Sequence, residues 1–292
     1  MRIAVLRGGK SLHYDESLKT GEMVLSVLRD EPRYRPLDIF VSKEGEWHYM
    51  GQRQEPHNLL KHVDLVWNAM HGEFGEDGKL GQLLSQMNVP HTGSTSLHLA
   101  FSLNKDLAKK VFNQHNLLTP KHEVLLGTIS NEDLIRIFQT YLHPVVVKPV
   151  STRSSLGERV AHSFNELKDS VVEAFKHAER VIVEELIRGD SAKCGVVENF
   201  RGKSLYTLIP TPSTFKSDVH KEIERMASEA HRALGLRHYS TSEFVVTPKG
   251  KVYILETTAL PVITPESHMH QSLEGVGITP REFVNHVINM AI

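Results

Sequence analysis

Three groups of residues have types and spacings suited to chemistry. The segment HGEFGEDG at positions 71–78 sets His71, Glu73, Glu76 and Asp77 among three glycines. Glycine lets the chain turn sharply and come close to a ligand, so this loop can present an imidazole and carboxylates to an ammonium or carboxylate group. An ordinary polar turn has the same composition. Lys148 ends the apolar run PVVVK and precedes STRSSLG, a Ser/Gly loop whose N–H groups can cradle phosphate oxygens beside the lysine charge. The GxxxxGK[ST] spacing of a P-loop is absent, and a solvated lysine is the plain alternative. Glu243 and Glu256 stand on two apolar-rich runs joined by Pro248-Lys249-Gly250. Carboxylates facing each other across half-buried paired strands repel unless a cation such as Mg2+ lies between them. The alternative is a pair of surface acids.

These residues need strands and helices to position them. Ile3-Ala4-Val5-Leu6, stopping at Gly8-Gly9, reads as a buried parallel strand entering a tight turn. A helix is expected over 21–28 with Thr20 as N-cap, and further strands over 37–41 and 63–67. This rhythm predicts an open, mostly parallel α/β sheet with ligands at the carboxyl ends of its strands. A lysine-rich helix over 103–113 (Lys105, Lys109, Lys110) follows, then a strand at 144–149, a helix at 165–180 and a strand at 181–186. A helix over 219–234, a hairpin formed by 243–247 and 251–256, and a terminal helix opened by Thr279-Pro280 complete the chain. The expected division is 1–93, 94–180 and 181–292, three α/β units packed together.

Composition removes several classes of protein. The 292 residues carry 34 Lys+Arg against 35 Asp+Glu, without the basic excess of a nucleic-acid binder. The single cysteine, Cys194, excludes an intramolecular disulfide framework and a Cys-based zinc cluster. No run approaches the ~20 apolar residues that span a bilayer, and the first residues lack the apolar length of a secretory signal. A cytoplasmic protein without nucleic-acid or membrane partners is expected.

Taken in order, the motifs resemble the D-alanine–D-alanine ligase family of the ATP-grasp superfamily, in register over nearly the whole chain. They are RGGKSLHYDESLKTG, HGEFGEDGKLGQLL, PHTGS, SLNKDLAKK, PVVVKPVSTRSSLG, VIVEELIRGDS, ALGL and GKVYILETTALPVIT followed by ESH. The resemblance implies an ATP-grasp fold behind an open N-terminal α/β domain, with ATP between the sheets of the central and C-terminal domains. It implies that ATP phosphorylates one D-alanine carboxylate, that a second D-alanine attacks the acyl phosphate, and that the product serves cell-wall peptidoglycan synthesis. Lys105 and Lys148 would then contact phosphates, with Ser154 and Ser155 in the phosphate loop. Glu184, Glu185 and the backbone around Ile187 would meet adenine, and Glu243 and Glu256 would hold Mg2+. His71 and Ser267 would lie near the amino acids, with Asp15 in place of the glutamate that holds the first ammonium. A homodimer formed through the N-terminal domain is also implied.

The chain departs from that family near the reacting atoms. Thr241 stands where the family has the arginine that stabilises the tetrahedral intermediate, and loss of one such donor typically costs ~10²–10³ in rate. Thr258 replaces the asparagine that is the third metal ligand, Ser191 the ribose-binding glutamate beside Asp190, and Arg153 a phosphate-loop glycine. Residues 257–262 (TTALPV) replace a small, Gly-containing turn. Residues 211–216 are shorter than the family's closing loop, with Lys216 as the cation there. Two readings follow: an ATP- and Mg2+-dependent carboxylate–amine ligase, of D-alanine or another amino-acid pair, and a nucleotide-binding homologue with weak or no ligation. A third, a metal site at His268 and His270, has no dense His/acid cluster to support it.

Overall fold

The computed structural model describes residues 1–127, 129–151 and 157–292. Its first strand, β1 (Arg2–Gly8), has neighbours on both edges, so the run from Ile3 to Leu6 is wholly buried. After it come α1 (Tyr14–Arg29), β2 (Arg35–Val41), β3 (Trp47–Tyr49), β4 (Gln52–Arg53), α2 (Pro56–Leu60), β5 (Leu65–Asn68) and α3 (Lys79–Gln86). The sheet has the order β4-β3-β2-β1-β5. β1 runs parallel to β2 and β5, while β3 and β4 add an antiparallel ribbon at one edge. One local expectation is corrected. Thr20 does not cap a helix; α1 begins at Tyr14, and Thr20 is buried inside it.

The chain continues through α4 (Ser96–Leu103), α5 (Lys105–Gln114), β6 (His122–Leu126), α6 (Asn131–Thr140), β7 (Val145–Pro149), β8 (Arg159–Ala161), α7 (Phe164–Phe175) and β9 (Arg180–Glu185). The lysine-rich segment is α5, and Leu103 before it ends α4. Asn104 separates them, accepting the Leu107 N–H as the N-cap of α5. The last third holds β10 (Asp190–Phe200), β11 (Lys203–Thr207), α8 (Ser217–Ala233), β12 (Tyr239–Val246), β13 (Val252–Thr258), α9 (His268–Gly275) and α10 (Pro280–Ala291). Its sheet has the order β11-β10-β12-β13. Two compact units result: Met1–Ala100 with Lys193–Ser242 and Thr257–Ile292, and Phe101–Ala192 with Glu243–Glu256.

Strand parity organises the second unit. The antiparallel sheet β6-β9-β7-β8 sets Val147 opposite Val183 and Leu125 opposite Val181. These residues point to one face and form a core with Leu134 and Ile137 of α6 and Leu167 and Val171 of α7. Because side chains alternate, His122, Val146, Lys148, Ile182 and Glu184 take the other face. A slip of one residue in β7 or β9 would bury polar groups among the valines, so the apolar face fixes the register of the chemical face.

The first unit buries a different polar network. The His231 imidazole (1% exposed) meets the Ser240 hydroxyl at 2.8 Å through Nδ1. The Glu198 carboxylate accepts the His238 N–H at 2.5 Å. His238 Nδ1 accepts the Gly93 N–H at 3.0 Å, so this ring is held in its neutral form. Burial first, then the Arg237 charge, lower its pKa to about 4. An unfolded chain protonates this histidine below about pH 6.5. The group is depressed in the folded state, so stability should fall as pH drops from about 6.5 toward 4, by up to about 3 kcal/mol. Urea midpoints at a series of pH values should show this slope. It should flatten in His238→Asn, which keeps an acceptor and tolerates the positive φ of 68° at this position.

Candidate active site

Helix α5 presents Lys105 and Lys109, four residues apart and so on one face. The Lys105 N–H donates to the Val150 carbonyl at 3.0 Å, fixing the start of the helix against the end of β7. Asp106, buried beside them, pairs with Lys110 at 3.0 Å and with Arg180 at 2.8 Å, the latter tying α5 to β9. On the polar face of the sheet, Glu184 lies opposite Val146 while Lys148 lies opposite Ile182. Lys148 and Glu184 are therefore diagonal neighbours, within reach of long side chains.

Their ammonium and carboxylate meet at 2.6 Å, Lys148 Nζ to Glu184 Oε1. From α5, Lys109 Nζ approaches Glu184 Oε2 to 3.0 Å and donates to the Thr119 hydroxyl at 2.9 Å. Glu184 and Lys109 are 3% and 0% exposed at the side chain, while Lys105 and Lys148 each keep 7%. Burial alone would raise the Glu184 pKa; the two lysines overcome it and hold the carboxylate down at about 2. For Lys109 and Lys105 burial wins and lowers the pKa. For Lys148 burial opposes the charge, but Glu184, Glu158 and Glu256 together raise its pKa. Lys105 Nζ also lies 3.9 Å from Glu256 Oε2.

Two buried ammonium groups thus share the buried Glu184 carboxylate, and a third, Lys105, lies beside half-buried Glu256 at the rim, three cations to two carboxylates. That surplus suits an anion with several oxygens. Glu184 Oε2 is buried and paired with the Lys109 ammonium at 3.0 Å; a carboxylate oxygen has a second lone pair, which can accept from an outside donor. Both features fit a nucleotide, with phosphates at the lysines and a base amino group at the carboxylate. Glu243 and Glu256 are half-buried on β12 and β13. The Ser242 and Thr257 hydroxyls meet at 2.8 Å, one residue from each. Glu243 and Glu256 each adjoin one of these residues on the two neighbouring strands. Two hard oxygen ligands suit Mg2+, which commonly takes one or two carboxylates and completes its shell with phosphates and water. Among the described residues no three His, Cys, Asp or Glu side chains gather to cage a metal, so His268 and His270 form no such group there.

The other expected residues are placed as follows. Glu185 accepts the Lys121 N–H at 3.2 Å, Ile187 follows it in the irregular segment after β9, and Ser191 is exposed at the start of β10. Ser154, Ser155 and Arg153 lie outside the described residues. In the first unit Asp15 is exposed in the first turn of α1. His71 is buried, its Nε2 at 2.9 Å from the Thr20 hydroxyl and its Nδ1 at 3.5 Å from Glu76. The Ser267 hydroxyl caps α9, accepting from His270 N at 3.3 Å and from Thr264 N at 3.1 Å. Thr241 is 7% exposed, and its hydroxyl points to Met269 Sδ at 3.6 Å. Thr258 is half-buried at the end of β13, and Lys216 is exposed at the start of α8. Sequence reasoning named Lys109 only as one of three lysines in a helix; the four-residue step from Lys105 was the signal that both share a face.

The pattern of the family described as "D-ala D-ala ligase C-terminus" matches residues 118–209 and 205–289. The D-alanine–D-alanine ligase of Clostridium beijerinckii is 29% identical over 308 residues, covering 99% of this chain and 97% of its own. That of Aquifex aeolicus is 29% identical over 310 residues, covering 99% and 100%. Among solved structures, the D-alanine–D-alanine ligase of Coxiella burnetii superposes with a TM-score of 0.89 at 25% identity, covering all of this chain and 95% of that one. The VanG D-Ala:D-Ser ligase of Enterococcus faecalis superposes at 0.91 and 23%, covering 100% and 99%, and shows the shared fold. The architecture is that of an ATP-grasp protein. The chain belongs to the D-alanine–D-alanine ligase family.

The contact between Thr20 and His71 gives a direct test of the first unit. Thr20→Val keeps the shape but removes the buried hydroxyl that meets His71 Nε2 and accepts the Ile263 N–H at 3.4 Å, which costs about 1–3 kcal/mol. Urea unfolding should show that loss, and Thr20→Ser should recover most of it.

Proposed function

We propose that the protein is an ATP- and Mg2+-dependent ligase that joins the carboxylate of one D-alanine to the amine of another. The observation that carries this reading is the buried cluster of Lys148 and Lys109 on Glu184 with Lys105 beside Glu256, in a chain that matches D-alanine–D-alanine ligases along its length. ATP would supply the phosphoryl group that turns a carboxylate into an acyl phosphate, and Mg2+ would offset the negative charge of its phosphates. Lys105 and Lys148 would bind and orient the phosphates, and Glu184 would accept from the adenine amino group. Glu185, Ile187 and Ser191 are proposed to complete the nucleotide site, with Ser154 and Ser155 over the phosphates. Glu243 and Glu256 would hold Mg2+, with the Thr258 hydroxyl as a further oxygen.

Asp15 would hold an ammonium through its exposed carboxylate. His71, fixed by Thr20 and Glu76, and Ser267, fixed in its capping turn, would orient the amino acids. We further propose three functional segments (1–93, 94–180 and 181–292), a cytoplasmic homodimer and a role in supplying cell-wall precursor.

One observation favours slower chemistry. Thr241 offers a buried hydroxyl turned to a sulfur, and no fixed charge for an oxyanion. Lys216 is the cation proposed to serve in its place. Should none serve, the protein would bind nucleotide and ligate weakly.

Phosphate release from ATP with Mg2+, with and without D-alanine, together with detection of the dipeptide, tests the reading. D-alanine-dependent release with dipeptide supports it; release without dipeptide for any amino acid pair points to the weaker homologue. Lys148→Met should raise the KM for ATP at least ~10-fold while changing the KM for D-alanine much less, because the lost charge faces phosphate.

A further inference from the structure

A lysine with no exposed surface is costly, and a methionine of similar length would fill the same space without a charge to desolvate. Lys109 is such a lysine, 0% exposed, with its ammonium between Glu184 Oε2 and the Thr119 hydroxyl. It is too enclosed to be a phosphate ligand itself. Its neighbours indicate what the charge does. Glu184 has one negative charge and two lysines, one on each oxygen. With Lys148 alone, the carboxylate and ammonium would form a closed pair of zero net charge, 2.6 Å apart and turned toward each other. Adding Lys109 leaves the trio with a net positive charge and spreads the carboxylate's attraction over two cations.

We propose that Lys109 is a positioning residue of the nucleotide site. It occupies one oxygen of Glu184 and fixes the carboxylate, so that Lys148 retains charge to give to a phosphate. The proposal rests on the nucleotide reading of the site and adds to it a residue that acts without touching the nucleotide. The geometry explains the arrangement of three elements. α5 lies over the polar face of the sheet with Lys105 and Lys109 turned to it, Thr119 anchors the Lys109 ammonium, and the β7–β9 register sets Lys148 diagonal to Glu184. It also explains the unequal exposure of the lysines: Lys105 and Lys148 keep some surface for a ligand, and Lys109 keeps none.

The test is titration calorimetry of the full chain with a non-hydrolysable ATP analogue and Mg2+, beside steady-state kinetics. Lys109→Met should weaken nucleotide binding about tenfold or more and leave the KM for D-alanine within about twofold. Lys109→Met/Glu184→Gln removes the carboxylate that would otherwise capture Lys148, and should bind nucleotide at least about threefold more tightly than Lys109→Met. A purely structural lysine predicts no such rescue. Unchanged nucleotide affinity in a folded Lys109→Met variant overturns the proposal, as does a double variant no tighter than the single one. If Lys109→Met alone does not fold, the double variant is compared with Glu184→Gln alone: affinity within about threefold of that variant supports the proposal, and a further loss of tenfold or more overturns it. If the unmodified protein binds no nucleotide, the nucleotide reading fails and takes the proposal with it.

Discussion

The structure of the second unit depends on one buried carboxylate. Glu184 lies almost fully enclosed on a central strand, where an isolated charge would be intolerable. It is ionised only because Lys148 reaches it along the sheet and Lys109 reaches it from α5. Those ammonium groups depend on it in turn. The packing of α5, the register of β7 against β9, and the charge offered to a ligand are thus one problem with one solution. A buried ionic group of this kind is a poor source of stability compared with apolar packing. Its presence indicates that the chain spends stability to hold positive charge at a fixed place.

The opposite face of the same sheet makes this possible. Val145, Val147, Val181 and Val183 lock the strands onto α6 and α7, so the alternate residues of those strands are committed to the polar face. Asp106 adds a second lock, because its bridge to Arg180 ties the first turn of α5 to β9. The site is therefore built from rigid elements, which is how charges are kept within the tolerances that phosphate recognition demands.

Much of this was legible in the sequence, and the gaps have physical causes. Buried strands announce themselves as apolar runs, which is why Ile3 to Leu6 and the segment ending at Lys148 were recognisable. The start of α1 was not, because His13 at its N-cap makes no side-chain capping hydrogen bond and is not a capping type. The β3–β4 ribbon was missed because its turn falls at Met50-Gly51, with φ of 51° and 76°, where asparagine would have been the recognisable residue. The chemical positions Lys105, Lys148, Glu184 and Glu256 were legible through motif resemblance, and three of them meet Lys109 in one cluster. Lys109 itself looked like any helical lysine, because burial of a long charged side chain depends on tertiary neighbours that no local pattern reveals. Thr241 is the reverse case: its identity was plain, but its commitment to Met269 is a fact of packing.

The central claim is that the cluster around Glu184 exists to hold a polyphosphate. The most direct measurement is calorimetric affinity for the series adenosine, AMP, ADP and ATP, each with Mg2+, on the unmodified protein at one salt concentration. The account predicts that affinity rises along the series, with ATP at least ~10-fold tighter than adenosine, because each added phosphate meets charge that is already in place. Adenosine binding as tightly as ATP, or no binding by any member, would contradict it.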